Sequence, residues 1–171
     1  MSSAPEPGQT VVPGVLLAIA GLGVMLRGPS GAGKSDCALT LIERGHALVA
    51  DDAVQLHYGL LHLRDLGILD IGSLFGPDAV KHNSFIGLVI TLSKPPGETY
   101  PDALIHGRYG VTELCCVSIP TLTITAVDQR PLASLIEAAV AQMLASGRHP
   151  QPAQPGEPQS TIKEPVCRQS G

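Results

Sequence analysis

Two groups of residues in this sequence are equipped for chemistry on a phosphate. The first is Gly28-Pro29-Ser30-Gly31-Ala32-Gly33-Lys34-Ser35, which fits the pattern G-x-x-x-x-G-K-[ST]. Its glycines let the backbone curl so that N–H groups converge on phosphate oxygens. The start of the helix that follows adds partial positive charge at the same spot. In that arrangement Lys34 reaches the β/γ-phosphates of a nucleotide and the Ser35 hydroxyl coordinates Mg²⁺. An ordinary glycine turn is the competing reading, but an apolar strand before the loop and a helical pattern after it favour ATP or ADP with Mg²⁺.

The second group is Asp51 and Asp52, at the end of the apolar run HALVADD. They come only one helix beyond Lys34, on the very next strand. A strand paired beside the loop's own strand brings its C-terminal carboxylates to the crevice end of the sheet. One carboxylate would then hold Mg²⁺ and the other would take a hydroxyl proton from a phosphate acceptor. The competing reading is a solvated strand end.

The elements that position these groups are legible from periodicity. Val15–Ala20 and Gly23–Arg27 read as a glycine-turned strand pair whose second member feeds the loop. A helix follows to about Arg44, with Cys37, Ala38, Leu41 and Ile42 on one face and Gly45 as its stop. HALVADD is a buried strand, and AVQLHYGLLHLRDL suggests a hairpin turning near Tyr58-Gly59. Phe85–Leu92, Thr112–Ser118 and Leu122–Ala126 are further strands. A last helix starts at Pro131 and ends before Gly147. Its apolar residues Leu132, Leu135, Ile136, Ala139, Val140, Met143 and Leu144 form one stripe. Strand-to-helix transitions mixed with hairpins predict an α/β fold with a mixed, partly antiparallel sheet.

Composition bounds the alternatives. The 171 residues suffice for one domain with a core. That domain is expected over residues 11–146, between Pro/Gly/Ser/Gln-rich ends at 1–10 and 147–171 that read as disordered. Hydrophobic residues at 44% and aromatics at only 3% predict an aliphatic core. A net charge of −4 argues against nucleic-acid binding through a basic field. Pro13, Gly14, Gly21 and Gly23 break the apolar run 11–26, which argues against a membrane span, and no signal-peptide pattern opens the chain. Cys37, Cys115, Cys116 and Cys167 lack zinc-ligand spacing and read as free thiols in a reduced, cytoplasmic setting.

At this point the residues resemble the bifunctional HPr kinase/phosphorylases. GPSGAGKSDCALTLIERGHALVADD is similar to that family's phosphate loop, helix and acidic strand. LRDLGILDIGSLFGPDAVK resembles its second signature, and IPTLTITAVDQRPLASLIEAA its late strand and helix. The likeness spans roughly residues 11–145 and covers the catalytic domain alone. It implies a kinase that uses ATP and Mg²⁺ to phosphorylate a serine on the small carrier protein HPr, reverses the transfer with inorganic phosphate, and forms hexamers. By position it puts Lys34 on phosphates, Ser35 on the metal, with Asp51 expected beside it, and makes Asp52 the proton acceptor. Arg64 keeps its place in the second signature and is expected to neutralise transferring charge, with a simple surface Arg as the competing reading.

Several chemical positions depart from the family pattern. Pro13 stands where the family has a His before the GVL strand. His62 replaces an acidic metal ligand two residues before Arg64, and Asp65 replaces a glycine. Only AVQLHYGL separates Asp52 from Leu61. Ala103 and Leu104 follow Asp102 where an Arg is expected, and Gln129–Pro131 stand in for a turn linked to phosphorolysis. His is a poor substitute for Glu at Mg²⁺, which strongly prefers oxygen. Asp65 offers an oxygen if the shortened hairpin shifts register. Two functions follow from these residues: a serine kinase with little reverse activity, or a nucleotide-sensing module without chemistry. A small-molecule P-loop kinase is disfavoured by the missing lid.

Overall fold

The structure, a computed structural model, describes residues 13–51, 60–63, 67–82, 84, 86–94, 108–114, 117–125, 131–147 and 162–163. Strands β1 (Val15–Ile19) and β2 (Leu22–Arg27) form an antiparallel hairpin, with Ile19 opposite Leu22. The two residues between them, Ala20 and Gly21, both have positive φ. That turn geometry matches the twist of the flanking strands. Helix α1 (Lys34–Glu43) buries Cys37, Ala38, Leu41 and Ile42, the face expected from its periodicity. It stops at Gly45, whose N–H donates to the Ile42 carbonyl, while the His46 N–H donates to the Leu41 carbonyl. This pair of reversed bonds needs a left-handed residue, and Gly45 supplies it at φ 96°.

Strand β3 (Ala47–Asp51) then enters the sheet, but not beside β2. It pairs antiparallel with β1 on the side away from β2. The expectation of direct adjacency to the loop's own strand is therefore corrected. The β1–β2 hairpin is too tight to admit a third strand, so β3 takes the free edge of β1.

Strands β4 (Leu60–Leu63) and β5 (Gly67–Asp70) make a separate antiparallel pair, His62 lying opposite Ile68. Leu63 pairs with Gly67 at one end of this pair; the turn expected near Tyr58-Gly59 lies outside the described residues. Helix α2 (Ile71–Phe75) and a 3-10 turn (Pro77–Ala79) follow. Asp70 caps α2, accepting from the Ser73 N–H at 3.1 Å and the Ser73 hydroxyl at 2.8 Å. Those bonds, the backbone one first, hold the exposed Asp70 carboxyl below its ordinary range.

Strands β6 (Ile86–Ser93), β7 (Arg108–Leu114) and β8 (Val117–Thr125) complete the main sheet with β9 (Ile162–Lys163). Its order is β3-β1-β2-β6-β8-β7-β9. β2, β6 and β8 are parallel neighbours, whereas β1, β3 and β7 join antiparallel. The α/β class with a mixed sheet is as the sequence predicts.

The expected breaks around Ser118 and Leu122 are not. β8 runs unbroken through Pro120, because pairing with β6 begins only at Thr121. Pro120 faces Val111 of β7 alone, where one missing N–H is tolerated. β9 falls within the tail expected to be unstructured and pairs with Thr112 and Glu113.

Helix α3 (Leu132–Ser146) starts after Pro131 and ends at a left-handed Gly147. With α1 it covers one face of the sheet, over a core that includes Leu17, Leu26, Leu48, Ile90, Leu92, Leu122 and Ile136. Leu16, Met25, Val49, Val89 and Ile119 form a second cluster on the other face. Among the described residues no helix is long and apolar enough to cross a membrane.

Candidate phosphate-binding site

Strands β2, β3, β6 and β8 all run the same way, so Arg27, Asp51, Ser93 and Thr125 end at one edge of the sheet. The loop Gly28–Gly33 leaves that edge from the central strand β2 and turns directly into α1. Three of its glycines have positive φ: Gly28 at 149°, Gly31 at 77° and Gly33 at 87°. Gly28 also passes very close to β6, where a β-carbon would meet the Leu92 carbonyl oxygen at 2.4 Å. Only glycine fits there.

Gly33 is the residue before α1 and provides no side-chain cap. The first intrahelical bond runs from the Cys37 N–H to the Gly33 carbonyl. The N–H groups of Lys34, Ser35 and Asp36 precede it, at the positive end of the helix dipole. Lys34 folds back over the loop, its Nζ donating to the Gly28 carbonyl at 2.7 Å and the Pro29 carbonyl at 3.0 Å. The Ala32 N–H closes the loop on the Pro29 carbonyl at 3.1 Å. One ammonium therefore sits at the mouth of a ring of backbone groups.

Asp51 reaches this edge by way of a bulge. Leu17 pairs with Leu48 and Leu16 with Ala50, which leaves Val49 as an extra residue in β3. Simple alternation would place Asp51 on the face of Ala47 and Val49, away from the helices. The bulge reverses that alternation, and Asp51 shares its row with Val15, whose side chain belongs to the helix-covered core. Leu26 stands on the other side of Val15 in the same row. The Asp51 and Leu26 backbones are two strand spacings apart, about 10 Å. Asp51 is buried. Pro13 and Gly14 lead into β1 at this same edge.

The sequence-derived set is thus divided. Gly28–Ser35 and Asp51 meet at one sheet edge, whereas Asp52 and Arg64 lie outside the described residues. Cys37 faces the core from the first turns of α1, and burial pushes its thiol up to about 11. It is no nucleophile at neutral pH. Sequence reasoning missed the contacts of Arg44 and His46 with Glu137 of α3. They join residues 93 and 91 positions apart, and no local pattern signals such a pair.

The donor set suits a polyphosphate with Mg²⁺. The curled backbone, the uncapped helix start and Lys34 offer donors and positive charge to phosphate oxygens. The Ser35 hydroxyl and the Asp51 carboxylate are the hard oxygen donors that Mg²⁺ takes. Among the described residues no three His, Cys, Asp or Glu side chains gather. Mg²⁺ shared between one or two protein oxygens and substrate phosphates needs no such cage.

The description "HPr Serine kinase C-terminal domain" belongs to a family model that matches residues 7–59 and 55–155. The chain belongs to this HPr kinase family. It is 35% identical over 148 residues to the HPr kinase/phosphorylase of Stenotrophomonas maltophilia, covering 77% of this chain and 47% of that one. It is 36% identical over 143 residues to that of Xanthomonas campestris, covering 74% and 45%. This HPr kinase domain therefore spans about half the length of the curated relatives it matches. The Hpr(Ser) kinase/phosphatase structure from Coxiella burnetii superposes with a TM-score of 0.72 at 27% identity, covering 81% of this chain and 93% of that one.

Proposed function

We propose that this HPr kinase-family domain is an Mg-ATP-dependent protein serine kinase acting on HPr or a similar phosphocarrier in the cytoplasm. The observation that carries the reading is the meeting of loop 28–35 and Asp51 at one sheet edge. The glycine-rich loop and the α1 start hold the phosphates, and Lys34 moves from its loop carbonyls to the β/γ-phosphate oxygens. Ser35 and Asp51 hold Mg²⁺, which supplies charge neutralisation at the transferring phosphoryl group when bound. Asp52, which follows Asp51 directly, takes the proton of the acceptor serine, and Arg64 screens the phosphate. Assembly of copies into a homo-oligomer accompanies this reading by family likeness.

Pro13 favours a second reading. It stands at the entrance to β1, on the site edge, where the family places a His close to the catalytic Asp. A domain that lost that group binds nucleotide and signals through a partner without transfer.

The two are separated by incubating the full chain with labelled ATP, Mg²⁺ and HPr from the same source. The kinase reading expects label on a serine. It also expects Asp52→Asn to lower the rate by about 10²–10⁴-fold, the usual cost of a lost general base, with ATP affinity within a few-fold of wild type. Pro13→His with His62→Glu should raise the rate. Full transfer in Asp52→Asn puts the base elsewhere. No transfer even in the restored variant leaves the sensor.

A further inference from the structure

The contacts at the far end of α1 bear on the loop at its near end. Arg44 caps α1, and its Nη1 donates to Glu137 Oε2 at 2.6 Å and to the Ser134 hydroxyl at 3.0 Å. His46, leading into β3, contacts Glu137 Oε1 through Nε2 at 2.8 Å. A carboxylate only accepts, so that ring nitrogen carries its proton. One carboxylate of α3 thus grips the turn after α1 with both oxygens. At the other end, Leu132 of α3 lies against Gly33, its Cδ1 4.0 Å from where a β-carbon would stand. α3 touches α1 at both of its ends.

α1 depends on such contacts. Ten residues are too few to hold a helix in water, and Gly33 gives its start no side-chain cap. Apolar contacts through Ala38, Leu41 and Ile42 keep it on the sheet but are non-directional. They leave its slide along its own axis to be fixed by groups with geometry. The paired bonds to Glu137 have that geometry.

We propose that Glu137 is a positioning residue for the phosphate loop: by gripping Arg44 and His46 it fixes α1 along its axis and so holds Lys34 and Ser35 at the sheet edge. The inference rests on the reading that loop 28–35 binds nucleotide phosphates. Its test has one readout that needs no nucleotide.

Hydrogen–deuterium exchange is measured on the full chain without nucleotide, for wild type and Glu137→Gln. The amides of Ala32 and Cys37, which are hydrogen-bonded at the loop and the helix start, should exchange roughly three- to tenfold faster in the variant, the range expected for a partly exposed charged pair. Amides of β2 and β6, including Met25 and Ile90, should keep their rates. Mg-ATP affinity should fall by a similar factor, and Glu137→Asp, which keeps the charge, should recover part of both. Arg44→Met and His46→Ala remove one donor each and repeat the test should Glu137→Gln fold poorly. Unchanged exchange at Ala32 and Cys37 overturns the proposal. So does uniform acceleration across the sheet, which marks a loss of global stability alone. Wild type that fails to bind Mg-ATP defeats the nucleotide reading, while the exchange comparison still decides the role of Glu137.

Discussion

Gly28 and Leu92 approach so closely that a β-carbon on the glycine would stand 2.4 Å from the leucine's carbonyl oxygen. The contact joins the first residue of the phosphate loop to the backbone of β6, which cannot swing away as a side chain can. Gly28→Ala should therefore destabilise by about 1–3 kcal/mol through overpacking, with the strain of φ 149° added. For a chain of this size that lowers Tm by roughly 2–12 °C. Gly110→Ala is the control, because nothing lies within 4 Å of its added carbon. It should stay within about 0.5 kcal/mol of wild type. Thermal denaturation of both variants checks the pair.

Lys34 supplies the ammonium at the loop's mouth, held for now by the Gly28 and Pro29 carbonyls. Hydrogen bonds to charged groups contribute about 1.5–3 kcal/mol. Lys34→Ala should thus weaken Mg-ATP binding by roughly ten- to a hundredfold, measured by calorimetry. Equal affinity in the two proteins would remove the loop from nucleotide binding.

Glu137 gives stability a pH dependence with a defined sign. The His46 bond first, then Arg44, holds its carboxyl below the ordinary value of 4.5. A lowered folded-state value means that the stabilisation is complete above the ordinary one and is lost as pH falls through the folded one. The gap in urea midpoint between wild type and Glu137→Gln should be larger at about pH 5.5 than at about pH 3. A gap that widens in acid would show that the carboxylate does not carry the effect.

Ile136 and Leu144 belong to one stripe by periodicity but not by burial. Ile136 is fully buried under the sheet, whereas Leu144 is 51% exposed. Ile136→Ala should cost about 2–5 kcal/mol by emptying core volume. Leu144→Ala should cost less than about 1 kcal/mol. Chemical denaturation of the two variants tests this difference between positions about two turns apart on α3.

Leu144 illustrates what was legible in the sequence. Local rules found the loop, both long helices, the Gly45 stop and the strands that enclose them, because each depends on near neighbours. Spacing could not say how far α3 extends past the sheet. Nor could it show that β3 would lie beyond β1, since strand order depends on which edge is free. α2 was legible in principle from Asp70 and Ser73, a capping pair on either side of Ile71, but its single buried residue gave no periodic signal. The Arg44–Glu137–His46 contacts and the Val49 bulge carry no local signature. Both arise only when distant segments pack.

The bulge lets the number of residues in β3 vary without moving the charge. Removing the Val49 codon in frame would leave Ala50 and Asp51 opposite Leu16 and Val15. Regular alternation from Leu48 would then keep the carboxylate on the helix-covered side of the sheet. A gene for this domain can therefore lose that codon and keep the arrangement; keeping the residue while flattening the bulge is what would turn the carboxylate away. An alignment that opens a one-residue gap at Val49 describes the same site.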